Sequence, residues 1–139
     1  MKKLLILALL IAYGTLQAQT PVSDRGTVTL VVNIKNFKSD EGTAYISLQD
    51  PTKRPIQQQS AKIIKNVTQV VFKNVAIGKY AVRLFHDEND NKKMDTGFFG
   101  IPKESWGVSN DVKANFGPPK FEDMIFVLER DKTITITMN

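Results

Sequence analysis

What most constrains this chain is a strict apolar alternation that recurs in short runs. Val28, Leu30, Val32 and Ile34 fall on one side of residues 27–34, and Ala44, Ile46 and Leu48 on one side of residues 43–49. Tyr80, Val82, Leu84 and His86 share a side of residues 80–86, as do Ile134, Ile136 and Met138 in residues 133–138. A β-branched run from Val67 to Phe72 puts Val70 and Phe72 together, and residues 124–129 form a further short apolar run. Side chains repeating at every second residue line one face of a strand. Gly, Pro, Asn and Asp bound the runs, as strand ends require. Beyond residue 18, no window long enough for a helix carries an apolar stripe of period 3.6. The expected class is therefore all-β: a two-sheet sandwich of about seven strands, packed inner face to inner face. The expected core is Val28, Leu30, Val32, Ile46, Leu48, Phe72, Tyr80, Val82, Leu84, Ile134 and Ile136.

Residues 1–18 have a different pattern. Lys2 and Lys3 precede nine uninterrupted apolar residues, Leu4 to Ala12, and small and polar residues follow. That order of charge, apolar run and small residues reads as a signal peptide cleaved near Ala18. Nine residues of helix span roughly 14 Å, against about 30 Å of hydrocarbon, too little for a membrane anchor. The expectation is an exported protein, periplasmic or extracellular, with residues 19–139 as one domain and no membrane span in the mature chain. Loss of Lys2 and Lys3 lowers the formal net charge from +5 to +3. The remaining basic residues are scattered without the interleaved aromatics of a nucleic-acid surface, so no nucleic-acid partner is expected. The chain has no cysteine, hence no disulfide framework or thiolate chemistry.

From Asp87 to Lys120 no strong strand pattern is present. Loops this long in a compact domain are usually functional or disordered. Phe98, Phe99, Trp106 and Phe116 lie within the stretch, and Gly97, Gly100, Pro102, Gly107, Gly117, Pro118 and Pro119 supply turns. The expectation is an ordered lobe containing a short strand or helical turn. Its aromatics would form a core of their own, and Phe116 would anchor it to the sandwich.

The lobe opens on His86-Asp87-Glu88-Asn89-Asp90-Asn91-Lys92-Lys93-Met94-Asp95. Asp87, Asn89, Asn91 and Asp95 occupy places 1, 3, 5 and 9 of a loop, and the backbone carbonyl of Lys93 falls at place 7. Hard oxygens at these places suit Ca2+, which takes six to eight of them. A sixth ligand would come from water, Asp90, Glu104 or Asp111. Lys92 stands where an EF-hand has Gly, and Phe98 stands where it has a bidentate Glu. The same residue types also make plain polar turns, through local side-chain-to-backbone hydrogen bonds. Residues 86–111 carry six acidic and three basic side chains, an acidic lobe on a basic body.

The stretch from Gly78 to Leu128, with its HDEN, GIPKE, Ser109-Asn110 and FGPPKFED runs, resembles domain of unknown function family 2141, a group of secreted bacterial proteins. The resemblance implies an immunoglobulin-like or prealbumin-like sandwich and carries no established activity. Family members typically read Asp-x-Asn-Gly-Asn-Gly-x-x-Asp through the loop; here Asp90 and Lys92 replace the two glycines.

Two classes of function follow. The first is a non-catalytic binding or structural domain, its partner an envelope or extracellular protein or glycan, with Phe98, Phe99 and Trp106 able to stack on sugar rings. The alternative is a small metal-dependent hydrolase using His86, the single histidine, and the acidic loop. Ser105 and Ser109 lie in the lobe, but no Gly-x-Ser-x-Gly elbow exists to activate either.

Overall fold

Eight strands and one short helix follow in order through residues 26–139, the residues that the computed structural model describes; the signal-peptide reading of residues 1–18 lies outside them. The strands are β1 (Thr27–Lys35), β2 (Thr43–Gln49), β3 (Pro55–Ala61), β4 (Val67–Ala76) and β5 (Gly78–Asp87), then β6 (Trp106–Val108), β7 (Phe126–Leu128) and β8 (Lys132–Thr137). The helix α1 (Phe121–Met124) lies between β6 and β7. One sheet runs β4-β1-β8, with β1 antiparallel to β4 and parallel to β8. The other runs β3-β2-β5-β6, and β7 pairs with the start of β5 at Gly78–Tyr80. The architecture is an all-β sandwich. Among the described residues no helix is long and apolar enough to cross a membrane.

Alternation decides which side chains meet. Leu30, Val32, Ile34, Ile46, Leu48, Phe72, Val82, Leu84 and Ile136 are buried between the sheets. Val28 and Ile134, expected inside, sit half-buried at the margin. Phe37, Val75, Leu128 and Met138 join the core from strand ends and loops. Phe72 is fully buried, and a ring so placed is worth roughly 1.5–3 kcal/mol over its exposed state. Gly107, on the inner side of β6, has no room for a side chain: a Cβ there would lie 2.8 Å from Ile136 Cγ2 and 3.3 Å from Met138 Sδ.

Residues 55–61 show no apolar alternation and still form a strand. They form β3, an edge strand paired only with β2. Its glutamines close the sandwich along one side: Gln57 Nε2 donates to the Lys73 carbonyl at 2.9 Å and Gln59 Nε2 to the Val71 carbonyl at 2.7 Å. On the other side the Asn139 N–H donates to the Trp106 carbonyl at 2.9 Å.

The lobe is ordered and holds β6, short 3-10 turns and a β-bridge between Thr96 and Pro102. Its expected aromatic core is not there. Phe98, Phe99 and Phe116 are exposed, at 90%, 99% and 113% of their full areas, and Phe116 anchors nothing. Trp106 is half-buried. The backbone does the work assigned to the rings. Gly97 N–H donates to Ile101 O at 2.7 Å, Gly100 N–H to Gly97 O at 3.3 Å, and Lys103 N–H to Asp95 O at 2.8 Å. The apolar support comes instead from α1. Phe121 and Met124 pack with Ala81 and Val108 against the outer face of the five-stranded sheet.

Candidate functional site

The acidic loop leaves the end of β5 with alternate residues facing opposite ways. His86 points inward and is fully buried, its ring edge-on to Phe37 with centroids 5.2 Å apart. Its Nε2 lies 2.6 Å from the Glu41 carbonyl. A carbonyl only accepts, so Nε2 carries the hydrogen. Nδ1 has no hydrogen-bond partner and lies 3.6 Å from the Glu88 carboxylate. Asp87 points the other way, under the lobe, and is also fully buried. The β1–β2 connection presses against this corner. Gly42 holds φ +73°, and a Cβ there would stand 2.7 Å from Glu88 Cα, so only glycine fits.

The four spaced side chains form one hydrogen-bonded knot. Asp87 accepts the N–H groups of Asn91 at 3.1 Å and Lys92 at 2.7 Å. Asn89 Oδ1 accepts the Asn91 N–H at 3.1 Å, and Asn91 Oδ1 the Lys93 N–H at 2.9 Å. The two amide groups donate to the two oxygens of Asp95, from Asn89 at 2.7 Å and from Asn91 at 2.8 Å. These donors, Asn91 first, hold the Asp95 carboxyl below its ordinary range despite some desolvation, and Lys103 and Lys93 assist. Asp90 and Lys92 keep glycine-like backbones, with φ of 56° and 64°.

The sixth-ligand candidates separate clearly. Glu104 is buried and ties the loop shut: it accepts the Glu88 N–H at 3.2 Å and the Asp95 N–H at 2.9 Å. Asp90 turns away to accept from Thr43 Oγ1 at 2.7 Å. Asp111 binds the edge of β8, accepting the Thr137 N–H at 2.8 Å. Among the described residues no group of three or more His, Cys, Asp or Glu is placed to hold a metal ion. An oxygen set for Ca2+ here would draw on Asp87, Asp95 and the two asparagines together.

Neither serine is placed as a nucleophile. Ser109 is fully buried; its hydroxyl donates to the Met124 carbonyl at 2.5 Å and accepts the Val82 N–H at 3.0 Å. Asn110 adds two bonds, from Nδ2 to the carbonyls of Asp123 at 2.9 Å and Ile125 at 3.2 Å. The Ser109-Asn110 pair is thus the clamp on α1. Ser105 is buried, and its hydroxyl has no partner among the described residues.

A second site lies beside the loop and was not legible as a unit in the sequence. Tyr45 of β2 pairs with Phe85 of β5, and Phe85 with Trp106 of β6. Ser60 of β3 pairs with Tyr45 on the far side. All four side chains face outward, so an aromatic row crosses three strands, with Tyr45 and Phe85 stacked at 5.4 Å. The adjacent outward row is Gln58, Ser47, Arg83 and Val108. The lobe walls this face with Phe99 and Ile101 on one turn and Pro118-Pro119 on another, leaving a groove of about 1490 Å³. Register alone creates the row, since the aromatics are scattered along the chain.

A family model described as "Uncharacterized protein conserved in bacteria (DUF2141)" matches residues 32–137. No curated protein and no solved structure matches the chain.

Proposed function

Because the chain belongs to this uncharacterised bacterial family, whose description assigns no activity, we propose from geometry that it is an exported, non-catalytic binding domain. Its ligand, an envelope or extracellular protein or glycan, occupies the groove over the five-stranded sheet. The observation that carries this reading is the outward aromatic row with its exposed Phe99 wall. A half-exposed aromatic row with a fully exposed ring beside it, rimmed by polar side chains, fits an interaction site. Export rests on the pattern of residues 1–18. The hydrolase alternative draws no support from His86, whose ring is sealed between the sheets with one nitrogen against Glu41.

The test is retention of the mature protein on isolated bacterial envelopes. The double variant Phe99→Ala/Phe85→Ala should be released, whereas Thr135→Ala, on the outer face of the other sheet, should be retained. Equal retention of all three would remove the groove from the function.

In this reading the loop binds Ca2+ as a structural brace, through Asp87, Asn89, Asn91, the Lys93 carbonyl and Asp95, with Glu104 beside them. What supports it is the gathering of Asp87 and Asp95 in one knot that buried Glu104 closes. Binding requires the two asparagine amides to turn their oxygens inward, a half-turn about χ2. Bound-ion distances should be about 2.3–2.6 Å. The melting temperature should rise in Ca2+ relative to EDTA, and Asn89→Ala, at an exposed position, should shrink that rise. Identical melting with and without the ion would sink the brace and leave the groove untouched.

A further inference from the structure

The groove's chemistry narrows its occupant, and this step rests on the groove reading above. Four features of the floor and walls point the same way.

The first is shape. The groove is open along one side and, at about 1490 Å³, larger than the roughly 300–1,000 Å³ typical of small-molecule pockets, so it has room for more than one sugar unit. The second is the apolar surface. Tyr45, Phe85 and Trp106 follow one another at strand spacing, about 4.8 Å, and the Phe99 ring is free in the wall. The free Phe99 ring can accept the C–H face of a sugar, and the stacked Tyr45–Phe85 pair beside Trp106 extends the apolar surface along the row. The third is unused hydrogen-bonding capacity. Among the described residues, the side chains of Tyr45, Gln58, Ser60 and Arg83 have no hydrogen-bond partner. Hydroxyl, amide and guanidinium groups of this kind match a polyhydroxylated ligand. The fourth is charge. The charged residues lining the groove are Lys53, Arg83, Lys120 and Glu122, three basic and one acidic. Arg83 stands in the floor between Ser47 and Val108, without an acidic partner among the described residues. A guanidinium so placed presents a planar fork that fits a carboxylate with two parallel hydrogen bonds.

A peptide fits this floor less well. Peptides commonly dock on sheets by adding a strand to a free edge. The sheet's two edges are β3, whose Gln57 and Gln59 lean on the other sheet, and β6, which has three residues and already takes the Asn139 N–H; between them β2 and β5 are paired on both sides, so the centre of the floor offers side chains only. We propose that the groove binds an acidic polysaccharide, with uronate carboxylates on Arg83, hydroxyls on Gln58, Ser60 and Tyr45, and sugar rings against Phe85, Trp106 and Phe99.

Trp106 is the only tryptophan of the chain and lies in the groove, so its fluorescence reports occupancy directly. The mature protein is titrated with an oligouronate, a neutral oligosaccharide of equal length, and an oligoglutamate of equal charge. The oligouronate should bind, and affinity should fall with added salt. Arg83→Gln should weaken binding by roughly tenfold or more and flatten the salt dependence. Arg83→Lys, which keeps the charge without the fork, should recover only part of the loss. Neutral sugar binding as tightly as uronate would overturn the acidic assignment, and oligoglutamate binding as tightly would overturn the glycan. No response to any of the three, while envelope retention still depends on Phe85 and Phe99, would overturn this proposal and leave the binding domain standing. Loss of that dependence as well would overturn both.

Discussion

Lys92 shows how much backbone shape matters at a single position. At φ 64° it sits in the left-handed region, which costs an L-residue roughly 1–2 kcal/mol. Glycine there carries no such strain but loses more chain entropy on folding, about 0.4–1 kcal/mol. Lys92→Gly should therefore raise stability by up to about 1 kcal/mol, measured by denaturant titration. Asp90→Gly should gain less, because it also removes the hydrogen bond from Thr43. A loss of stability in Lys92→Gly would show that the lysine side chain holds the loop. Gly107 is the opposite case, restricted by space rather than by φ. Gly107→Ala drives a methyl into Ile136 Cγ2 and should cost about 1–3 kcal/mol. Combined with Ile136→Ala, the cost should be less than the sum of the two single changes, since one removes the obstacle met by the other.

At the scale of elements, α1 has four residues and cannot persist by helix propensity alone. The Ser109-Asn110 clamp and the packing of Phe121 and Met124 hold it in place. Ser109→Ala leaves the Met124 carbonyl and the Val82 N–H without their hydroxyl partner, which should cost about 1–3 kcal/mol. Hydrogen exchange should quicken first around residues 121–125; uniform quickening over the whole chain would mean the clamp is not local. Elements such as this mark where legibility in the sequence ends. β1, β2, β5 and β8 were legible because each has one wet and one dry face. β3 was not, because Pro55–Ala61 is exposed or half-buried along its length and Gln57 and Gln59 turn to the other sheet rather than to a core. The loop's turns were legible in its alternating Asp and Asn residues, because side-chain-to-backbone bonds of that kind are local. The aromatic row was not, since Tyr45, Phe85 and Trp106 become neighbours only through strand register. The number of rings in the lobe does not translate into burial, because hydrogen bonds between main-chain groups close its turns.

At the scale of the whole molecule, three groups among the described residues are displaced from their ordinary values and contribute to the pH dependence. Asp50 is held below its ordinary value chiefly by the Thr52 hydroxyl, and Asp95 chiefly by the Asn91 amide. A carboxyl whose folded value is depressed contributes stability above its unfolded value, near 3.8, and that contribution is lost as pH falls through the folded value. Tyr80 is displaced the other way, raised by burial and then by Asp50. Its contribution is complete below its unfolded value of 10.0 and is lost as pH rises through the folded one. The melting temperature should hold across the neutral range and fall at both ends. Asp95→Asn should flatten the acid limb, and an unchanged limb would assign acid sensitivity elsewhere.

The parallel pairing of β1 with β8 has a consequence in time. Leu30 meets Lys132 and Lys35 meets Thr137, so the first described strand waits for the last. Contacts between such distant parts of a chain slow folding, toward the millisecond-to-second range of sandwiches. A chain delivered amino end first, from a ribosome or through a narrow pore, has β1 in hand long before its partner arrives. Until then β1 can pair only with β4, and Ile136 and Met138 are missing from the core. The sandwich therefore closes only once β8 has been delivered, and the chain stays threadable until then.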